Sequence, residues 1–216
     1  MKVAIIGAGF TGLAAGYYLA KKDHQVEIFE SQVRPGGLAT GFGRKNWSWH
    51  LEKHYHHIFI SDWAIRNLAK EIGHTIIFNR PTTSFLIKNK SYQLDNLNSL
   101  LKFPFLSWQE RLRTGIVLFF LKINPFWKPL EKITAEKFLK ITMGGNSWQV
   151  LWEPLFKGKF GEYKSKIPAS WFWARIKKRS ATLGYPKGGF ESLAETISNE
   201  IIKRGGKIHF NSNVNS

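Results

Sequence analysis

Three glycines and one acid near the N-terminus have the types and spacing to bind a dinucleotide. Gly7, Gly9 and Gly12 follow an apolar run, and Glu30 closes the next apolar run. The first glycine permits a tight turn, the second lets the backbone approach a pyrophosphate, and the third lets a helix pack on a strand. Glu30 lies 18 residues after Gly12, where a carboxylate accepts hydrogen bonds from a ribose diol. The negative charge of Glu30 disfavours NADP as a ligand, because it would repel the phosphate on the ribose.

The elements that must position these residues are a strand, a helix and a second strand. Residues 3–6 and 26–29 are the apolar strands, and the helical segment lies between them. The free N–H groups and the dipole at the helix N-terminus favour the negative charge of a pyrophosphate. The pattern predicts an α/β fold with a Rossmann-like βαβ unit and a parallel sheet. The alternative is an ordinary βαβ unit with a glycine turn and no ligand.

A second glycine pair follows directly after the acid. Arg34, Gly36 and Gly37 stand in the segment Arg-Pro-Gly-Gly. A nicotinamide-binding domain has no need of this pair, whereas a flavin domain needs the chain to pass close to the cofactor again. The alternative is a plain surface turn, since Pro-Gly marks turns in general.

These motifs together resemble the FAD-dependent amine oxidase superfamily, in its protoporphyrinogen oxidase-like and phytoene desaturase-like branch. The family signature is a Rossmann glycine turn, an acid ending the second strand, and then Arg-x-Gly-Gly. One departure is Asp23, where the family usually has glycine, but Asp tolerates left-handed geometry. The resemblance implies FAD as cofactor, contacted by Gly7, Gly9, Phe10, Thr11, Gly12, Glu30, Ser31, Arg34, Gly36, Gly37, Leu38, Ala39 and Val214.

The chain divides into three predicted regions. Residues 1–60 begin the FAD-binding domain, 61–183 form an inserted α+β substrate or cap domain, and 184–216 return to the FAD-binding domain. By resemblance, the Gly-Gly-Phe segment at Gly188 opens the return, and Val214 packs its backbone near the adenine. The patterns predict helices at 62–72, 108–122, 135–143, 146–156 and 189–203, and strands at 75–79, 84–94 as a hairpin around Asn89, and 207–210.

The resemblance covers nearly all of this chain but only the first half of the family architecture. The family continues for about another domain, which supplies the rest of the sheet and a Gly-Asp segment at the flavin. We therefore expect a truncated chain that lacks the C-terminal part of the fold and whose last strand has lost a partner. An exposed sheet edge of that kind invites association.

Composition limits the chemistry and the partners. The 216 residues contain no cysteine, which rules out disulfides, thiolate metal sites and a cysteine nucleophile and suits a cytoplasmic protein. The N-terminal apolar run is too short for a signal peptide, and residues 115–121 are too short to span a bilayer. The net charge is +17, and residues 1–43 hold four basic and three acidic side chains, so the excess charge lies beyond them. This balance favours anionic partners, either an anionic substrate or a membrane surface, and the alternative is a basic surface with no specific partner.

Histidines crowd into residues 50–57. Helical spacing would place His50, His54 and His57 on one face, which is the basis for a zinc alternative, but the aromatic-rich segment also fits an extended chain and no metal is predicted. By resemblance, the segment runs along the flavin, so Tyr55, His56 and His57 line the flavin ring or the substrate cavity. We assign catalytic roles to His56 and His57, and the alternative is a set of hydrogen-bonded structural histidines.

Residues 157–179 combine eight basic side chains and one acid with several aromatic residues. This composition predicts a wall that faces an anionic substrate or a membrane. A nucleic-acid surface is the weaker alternative, because the segment also resembles the substrate domain of the family. Arg175 lies in an apolar run and is the candidate to pair with a substrate carboxylate or phosphate. Its alternative role is a buried structural ion pair.

The sequence thus predicts a FAD-dependent oxidoreductase that transfers a hydride from a C–H or C–N bond of a small organic substrate to flavin. Serine-hydrolase, Walker and HExxH motifs are absent from the sequence, which leaves hydrolysis and nucleoside-triphosphate chemistry unsupported. A flavin-dependent sugar-nucleotide mutase is the alternative enzyme. A non-catalytic FAD-binding or interaction module is the alternative outside enzymes. The sequence does not determine the oligomeric state.

Overall fold

A computed structural model describes residues 1–214. The chain forms two compact units. The first contains residues 1–80 together with the segment from residue 182 onwards, and the second contains residues 81–181. The predicted α/β class is confirmed as a mixed α/β fold with a parallel sheet.

The first unit contains a parallel sheet, an antiparallel sheet and a short hairpin. The parallel sheet has the order β1-β2-β10, the antiparallel sheet has the order β5-β9-β6, and β3 pairs with β4. The elements are β1 (Lys2–Ile6), α1 (Phe10–Ala20), β2 (Gln25–Phe29), β3 (Gly41–Phe42), β4 (Leu51–Glu52), β5 (Ile58–Phe59), α2 (Trp63–Glu71), β6 (Ile76–Asn79), β9 (Leu183–Pro186), α9 (Gly189–Lys203) and β10 (Lys207–His209).

The predicted strand–helix–strand unit is present as β1, α1 and β2. Val3 pairs with Val26 and Ile5 with Ile28 in parallel register, and β10 adds a third parallel strand beside β2. Helices α1 and α9 cover one face of this sheet, where Leu13, Ile28, Leu193, Ile197 and Ile201 are fully buried. Asp23 adopts the left-handed conformation with φ of 60°, as its position after the first helix required.

The first boundary of the predicted insertion needs a correction. Helix α2 and strand β6, which the sequence analysis assigned to the inserted domain, belong to the first unit. The reason is tertiary, because β6 pairs with β9 through Phe78 and Gly184, and Leu68 of α2 is buried in the core under the parallel sheet. The assignment of the two units as FAD-binding and substrate domains stays a prediction.

The second unit is mainly helical. Its only regular strands in the described chain are β7 and β8, which form the predicted hairpin, with Lys88 and Asn89 at positive φ in the turn. The elements are β7 (Ser84–Ile87), β8 (Lys90–Gln93), α3 (Leu97–Leu101), α4 (Trp108–Ile123), α5 (Ala135–Met143), α6 (Gly145–Ser147), a π-helical turn (Trp148–Trp152), α7 (Glu153–Phe160) and α8 (Ala169–Lys178).

The sequence predicted α4 and α5 of this unit with nearly their observed bounds. The capping box between Ser107 and Glu110 starts α4, and Thr134 caps α5. The helix predicted at 146–156 instead runs to Phe160 and contains the π-helical turn just before Pro154. Proline lacks an N–H and crowds the preceding turn, which a wider turn relieves. Helices α3 and α8 were not predicted, although Asn96 and Ser99 form a capping box at the start of α3.

Aromatic side chains fill the main core of the second unit. Trp148, Phe156 and Phe172 are fully buried together with Leu139 and Met143. Phe156 contacts the Trp148 ring at a centroid distance of 5.2 Å and the Trp171 ring at 5.3 Å. The packing accounts for much of the tryptophan content of this region.

Among residues 1–214, no helix combines the length and the apolar character needed to cross a bilayer.

Candidate functional site

The first glycine turn connects β1 to the N-terminus of α1. Gly7 has a φ of +94°, and its N–H donates to the Phe29 carbonyl at 2.8 Å. Gly9 is the N-cap of α1, and no side chain caps this helix end. A Cβ on Gly12 would lie 2.0 Å from the Gly7 carbonyl oxygen, so the helix can pack this closely on the turn only with glycine there. The geometry shows the tight turn at Gly7 and the close helix packing at Gly12, and the cofactor contact of Gly9 stays a prediction.

Glu30 joins the end of β2 to this turn. Its carboxylate is buried and accepts hydrogen bonds from the Ala8 N–H at 2.6 Å and the Gln32 N–H at 2.9 Å. The Ser31 hydroxyl donates to the same carboxylate at 3.3 Å. A carboxylate has about four lone-pair sites, and these contacts use three of them. Glu30 is thus fixed beside the glycine turn with capacity for a further donor such as a ribose hydroxyl.

The second glycine pair packs directly on the first turn. Gly9 and Gly36 form an isolated parallel bridge, and the Gly36 N–H donates to the Ala8 carbonyl at 2.9 Å. A Cβ on Gly37 would lie 3.2 Å from the Gly9 Cα. Gly36 and Gly37 have φ values of +121° and +58°. The two glycine segments, separated in the sequence by the whole of α1 and β2, therefore form one backbone surface.

The surface of the two glycine segments lies beside open space at the start of α1. A Cβ built on Gly7 or Gly9 would meet no atom within 4 Å, so there is open space over the turn. The open space lies at an uncapped helix N-terminus without an acidic residue in its first turn. Backbone N–H groups and a helix dipole in that arrangement form an anion site.

Arg34 is held by a carboxylate that the sequence analysis did not identify. Its Nη1 donates to Glu191 Oε1 at 2.7 Å, and its Nη2 donates to the Gly41 carbonyl at 3.1 Å. Glu191 is buried, and its other oxygen accepts from the Gly41 N–H at 3.1 Å and contacts His50 Nδ1 at 3.0 Å. Burial alone would raise the pKa of Glu191, but the hydrogen bonds from His50 and Gly41 and the charge of Arg34 together lower it. Glu191 therefore remains ionised and positions Arg34 beside the second glycine pair.

A second carboxylate connects the β3–β4 hairpin to the start of α9. Glu52 accepts from the Tyr185 hydroxyl at 2.6 and 2.7 Å and from the Phe190 N–H at 3.0 Å. Burial, followed by the hydrogen bond to Glu52, raises the pKa of Tyr185. The sequence signal for Glu52 and Glu191 was weak, since an acid in a first helical turn or a short strand is common. Only the return of the chain as β9 and α9 places them at this site.

The remaining cofactor candidates of the first unit differ in exposure. Ala39 is buried, whereas Leu38 is 75% exposed directly after the second glycine pair. Phe10 contacts the Phe190 ring edge-on at 6.0 Å, and Thr11 and Ser31 are exposed. Val214 is exposed, and it follows Ser212, whose N–H donates to the Glu30 carbonyl at 2.9 Å.

The histidine segment is not helical. His50 precedes β4, and His54, His56 and His57 lie in the irregular segment before β5. The helical face on which the zinc alternative depended therefore does not form. The His56 ring lies 5.7 Å from the Phe190 ring, which itself contacts Phe10 at the glycine turn. His57 is half-buried and packs edge-on against Phe59 at 4.6 Å.

Arg175 belongs to the second unit, on α8. Its guanidinium lies over the Trp171 ring at 5.7 Å, and no carboxylate within the described residues forms a salt bridge with it. The alternative role as a buried ion pair is therefore wrong for the structure described. Desolvation, followed by the charge of Arg179, lowers the pKa of Arg175. Its role toward substrate stays a prediction.

Comparison with known proteins assigns this chain to one family. The model of the family "Flavin containing amine oxidoreductase" matches residues 10–216. Coproporphyrinogen III oxidase of Staphylococcus aureus is 27% identical over 98% of this chain and 54% of its own length. The 4,4'-diapophytoene desaturase of Staphylococcus haemolyticus is 43% identical over 24% of this chain and 10% of its own length.

Solved structures show the same fold. An oxidoreductase from Methanosarcina mazei superposes with a TM-score of 0.71 at 21% identity, covering 98% of this chain and 51% of that one. The chain thus spans about half the length of the coproporphyrinogen oxidase and of this oxidoreductase. The predicted resemblance is confirmed, and the chain belongs to the flavin-containing amine oxidoreductase family.

Proposed function

We propose that this chain binds FAD and contributes to a FAD-dependent oxidoreductase. The observation that carries the proposal is the junction of Gly9 with Gly36 and Gly37, which forms one open backbone surface at the N-terminus of α1. Membership of a flavin-containing family adds support.

Each part of the site would hold a different part of the cofactor. The N–H groups at the start of α1 would bind the diphosphate, and Glu30 would accept from the ribose hydroxyls. Arg34, fixed by Glu191, would add positive charge near the second glycine pair. Val214 follows the segment bonded to Glu30, which supports its assignment to the adenine end.

When bound, the flavin would supply the redox chemistry by accepting a hydride from a C–H or C–N bond of an organic substrate. The protein would bind, orient and exclude water. His56 and His57 are the proposed proton or hydrogen-bond donors toward flavin or substrate, because an imidazole changes charge near neutral pH. Arg175 is the proposed partner for a substrate carboxylate or phosphate.

The first test is the visible absorption spectrum of the purified chain after FAD is added and the excess removed. Wild-type protein should retain FAD at near-equal stoichiometry. The Gly9→Ala variant is the sharp comparison, because its methyl group meets no protein atom but would occupy the space over the turn. It should remain folded, with at most about 1 kcal/mol lost at the N-cap, and lose FAD affinity by about tenfold or more, on the scale of one lost hydrogen bond to a charged group.

Gly145→Ala is the matched control, since a Cβ there also meets no atom within 4 Å, away from the glycine turn. It should retain FAD like the wild type. A colourless wild-type protein, or equal FAD affinity in wild type and Gly9→Ala, would contradict the proposed cofactor site.

The catalytic assignment has its own test. Replacing His57 with Gln should slow reduction of bound FAD by substrate without loss of the cofactor, and unchanged reduction would remove the role. The mutase alternative requires reduced flavin and consumes no oxidant, so it predicts turnover without oxidant consumption. A non-catalytic module would bind FAD and show no turnover with any substrate.

A further inference from the structure

A cleft of about 330 Å³ opens in the second unit beside strand β8 and helix α3. This volume is at the lower end of the range for ligand pockets, which suits a ligand of a single ring. No acid within residues 1–214 lines the cleft. Six of its eight lining residues carry a polar side chain, and these are Tyr92, Gln93, Asn96, Asn98, Ser99 and Lys102.

The aromatic side of the cleft is fixed by the core beneath it. Phe103 lines the cleft, is 1% exposed and belongs to a core cluster with Leu100, Leu106 and Leu151. The Tyr92 ring packs edge-on against Phe105 at a centroid distance of 4.9 Å and against Phe103 at 6.3 Å. The cleft therefore has a rigid apolar base and one half-buried aromatic ring in its wall.

Two amide side chains of the wall are oriented by the protein itself. Gln93 Nε2 donates to both carboxylate oxygens of Asp95 at 3.0 Å. Asn96 Nδ2 donates to Asp95 Oδ1 at 2.7 Å, and Asn96 Oδ1 accepts from the Ser99 N–H at 2.9 Å. Asp95 is not part of the lining. These bonds fix the two amides and leave the carbonyl oxygen of Gln93 available as an acceptor.

Three other polar groups of the wall have hydrogen-bonding capacity to spare. Within the described chain, no hydrogen bond or ion pair engages the Tyr92 hydroxyl, the Asn98 side-chain amide or the Lys102 ammonium. A hydroxyl and an amide both donate and accept, which matches the hydroxyl groups of a sugar. Lys102 is the C-cap of α3 and the one charged residue among the lining residues described, so it can pair with an anionic group.

We propose that this cleft binds a single sugar ring that carries one negative group, either a phosphate or a carboxylate. The ring hydroxyls bond to Tyr92, Gln93 and Asn98, and the negative group pairs with Lys102. The charge of the unit supports an anion, because residues 81–181 contain 18 Lys and Arg side chains against six Asp and Glu. A nucleobase fits less well, because its two flat faces would meet the ring of Tyr92 alone, Phe103 being buried.

The proposal goes beyond the proposed cofactor site, and its test requires no FAD. The probes are glucose 6-phosphate, glucuronate, glucose and inorganic phosphate, each added to the 216-residue chain labelled with nitrogen-15. The two anionic sugars should shift the side-chain amide signals of Gln93, Asn96 and Asn98 in a two-dimensional NMR spectrum. Glucose and inorganic phosphate should each bind about tenfold more weakly or less. Comparison of the two anionic sugars shows whether the phosphate or the carboxylate is preferred.

Variants separate the ring from the charge. Lys102→Gln should lower affinity for the anionic sugars by about tenfold and leave affinity for glucose unchanged, because it removes one charge-assisted contact. Lys128→Gln is the matched control, since Lys128 is also exposed in the second unit but does not line the cleft, and it should bind as the wild type does.

Asn98→Ala should lower affinity for all three sugars by about fivefold, because the ring loses one neutral hydrogen bond. Asn98 is exposed on α3, where alanine is a better helix former, so this variant keeps the fold. Circular dichroism of each variant checks that the fold is retained.

Three results would overturn the proposal. The first is that none of the probes at 10 mM, on the order of the weakest useful affinity, shifts the three amide signals. The second is that inorganic phosphate binds as tightly as glucose 6-phosphate, or that folded Lys102→Gln and Asn98→Ala bind as the wild type does. The third is that adenosine monophosphate binds at these amides more tightly than either anionic sugar, which would assign the cleft to a nucleobase.

Discussion

Arg34 and Glu191 form a salt bridge of 2.7 Å although 157 residues separate them in the chain. The bridge connects the loop with the second glycine pair to the first turn of α9. Glu191 also binds the Gly41 N–H and contacts His50, so one buried carboxylate organises three segments. The side chain of Glu191 is 7% exposed, whereas that of Arg34 is 37% exposed. Replacing Glu191 should therefore lower the free energy of unfolding more than replacing Arg34 does.

Replacing Glu191 with Gln should lower the free energy of unfolding by about 1.5–3 kcal/mol, the usual range for hydrogen bonds to a charged group. The lower end is expected, because water replaces part of the interaction at the partly exposed Arg34. Urea unfolding followed by circular dichroism measures the change. Glu200→Gln on the same helix is the control. Glu200 pairs with Lys203, whose side chain is 70% exposed, and with Arg204 at 3.7 Å, and both partners stay accessible to water, so its effect should be smaller, about 0.5–1 kcal/mol. Equal effects of the two substitutions would contradict the central position of Glu191.

Acid should destabilise the protein in part through Glu191. Its pKa is lower in the folded protein than the ordinary value of 4.5. The stability that this carboxylate contributes is therefore fully present above about pH 4.5 and is lost as the pH falls through the lower folded-state pKa. Unfolding free energy measured against pH should fall less steeply below pH 4.5 in Glu191→Gln than in the wild type. Parallel curves for the two proteins would show that Glu191 does not titrate with a lowered pKa.

Replacing Tyr185 with Phe should cost about 1.5 kcal/mol, because Glu52 loses a charge-assisted hydrogen bond. The pKa of Tyr185 is raised above 10, so its contribution is present below pH 10 and is lost as the pH rises through the folded-state value. Titration of tyrosinate absorbance should show one fewer tyrosine ionising above pH 10 in the variant than in the wild type. Tyr55→Phe is the control, since Tyr55 is 79% exposed, and its loss should leave stability unchanged. If the variant instead lost a tyrosine that ionises at the ordinary pKa of about 10, the environment described for Tyr185 would be wrong.

Replacing Gly12 with Ala should destabilise the first unit by about 3 kcal/mol or more, at the upper end of the cost of overpacking. The new Cβ would lie 2.0 Å from the Gly7 carbonyl, which α1 can relieve only by moving off the turn. Gly158→Ala provides the contrast. Gly158 lies within α7 with no atom within 4 Å of its built Cβ, so alanine there should stabilise the helix by about 0.5–1 kcal/mol. Thermal unfolding of both variants measures the difference, and a neutral Gly12→Ala would mean that the close packing is not required.

The sequence by itself determined the features that depend on neighbouring residues. The glycine turn at Gly7, the acid Glu30 at the end of β2, the capping box of Ser107 and the hairpin at Asn89 all follow from local backbone rules. A turn, a cap or a tight hairpin is specified by a few adjacent residues, so its sequence signal survives in any tertiary setting. The family resemblance rested on the same local motifs.

Only the tertiary structure decided which distant segments meet. The contact of Gly37 with Gly9, the bridge between Arg34 and Glu191, and the pairing of β6 with β9 join residues that carry no individual signal for each other. The sequence around an acid in a first helical turn is the same whether the acid faces water or a distant arginine, and the sequence of a short apolar strand does not indicate which strand it pairs with. The Arg34–Glu191 bridge and the β6–β9 pairing form because the chain returns after the second unit to complete the sheets and core of the first.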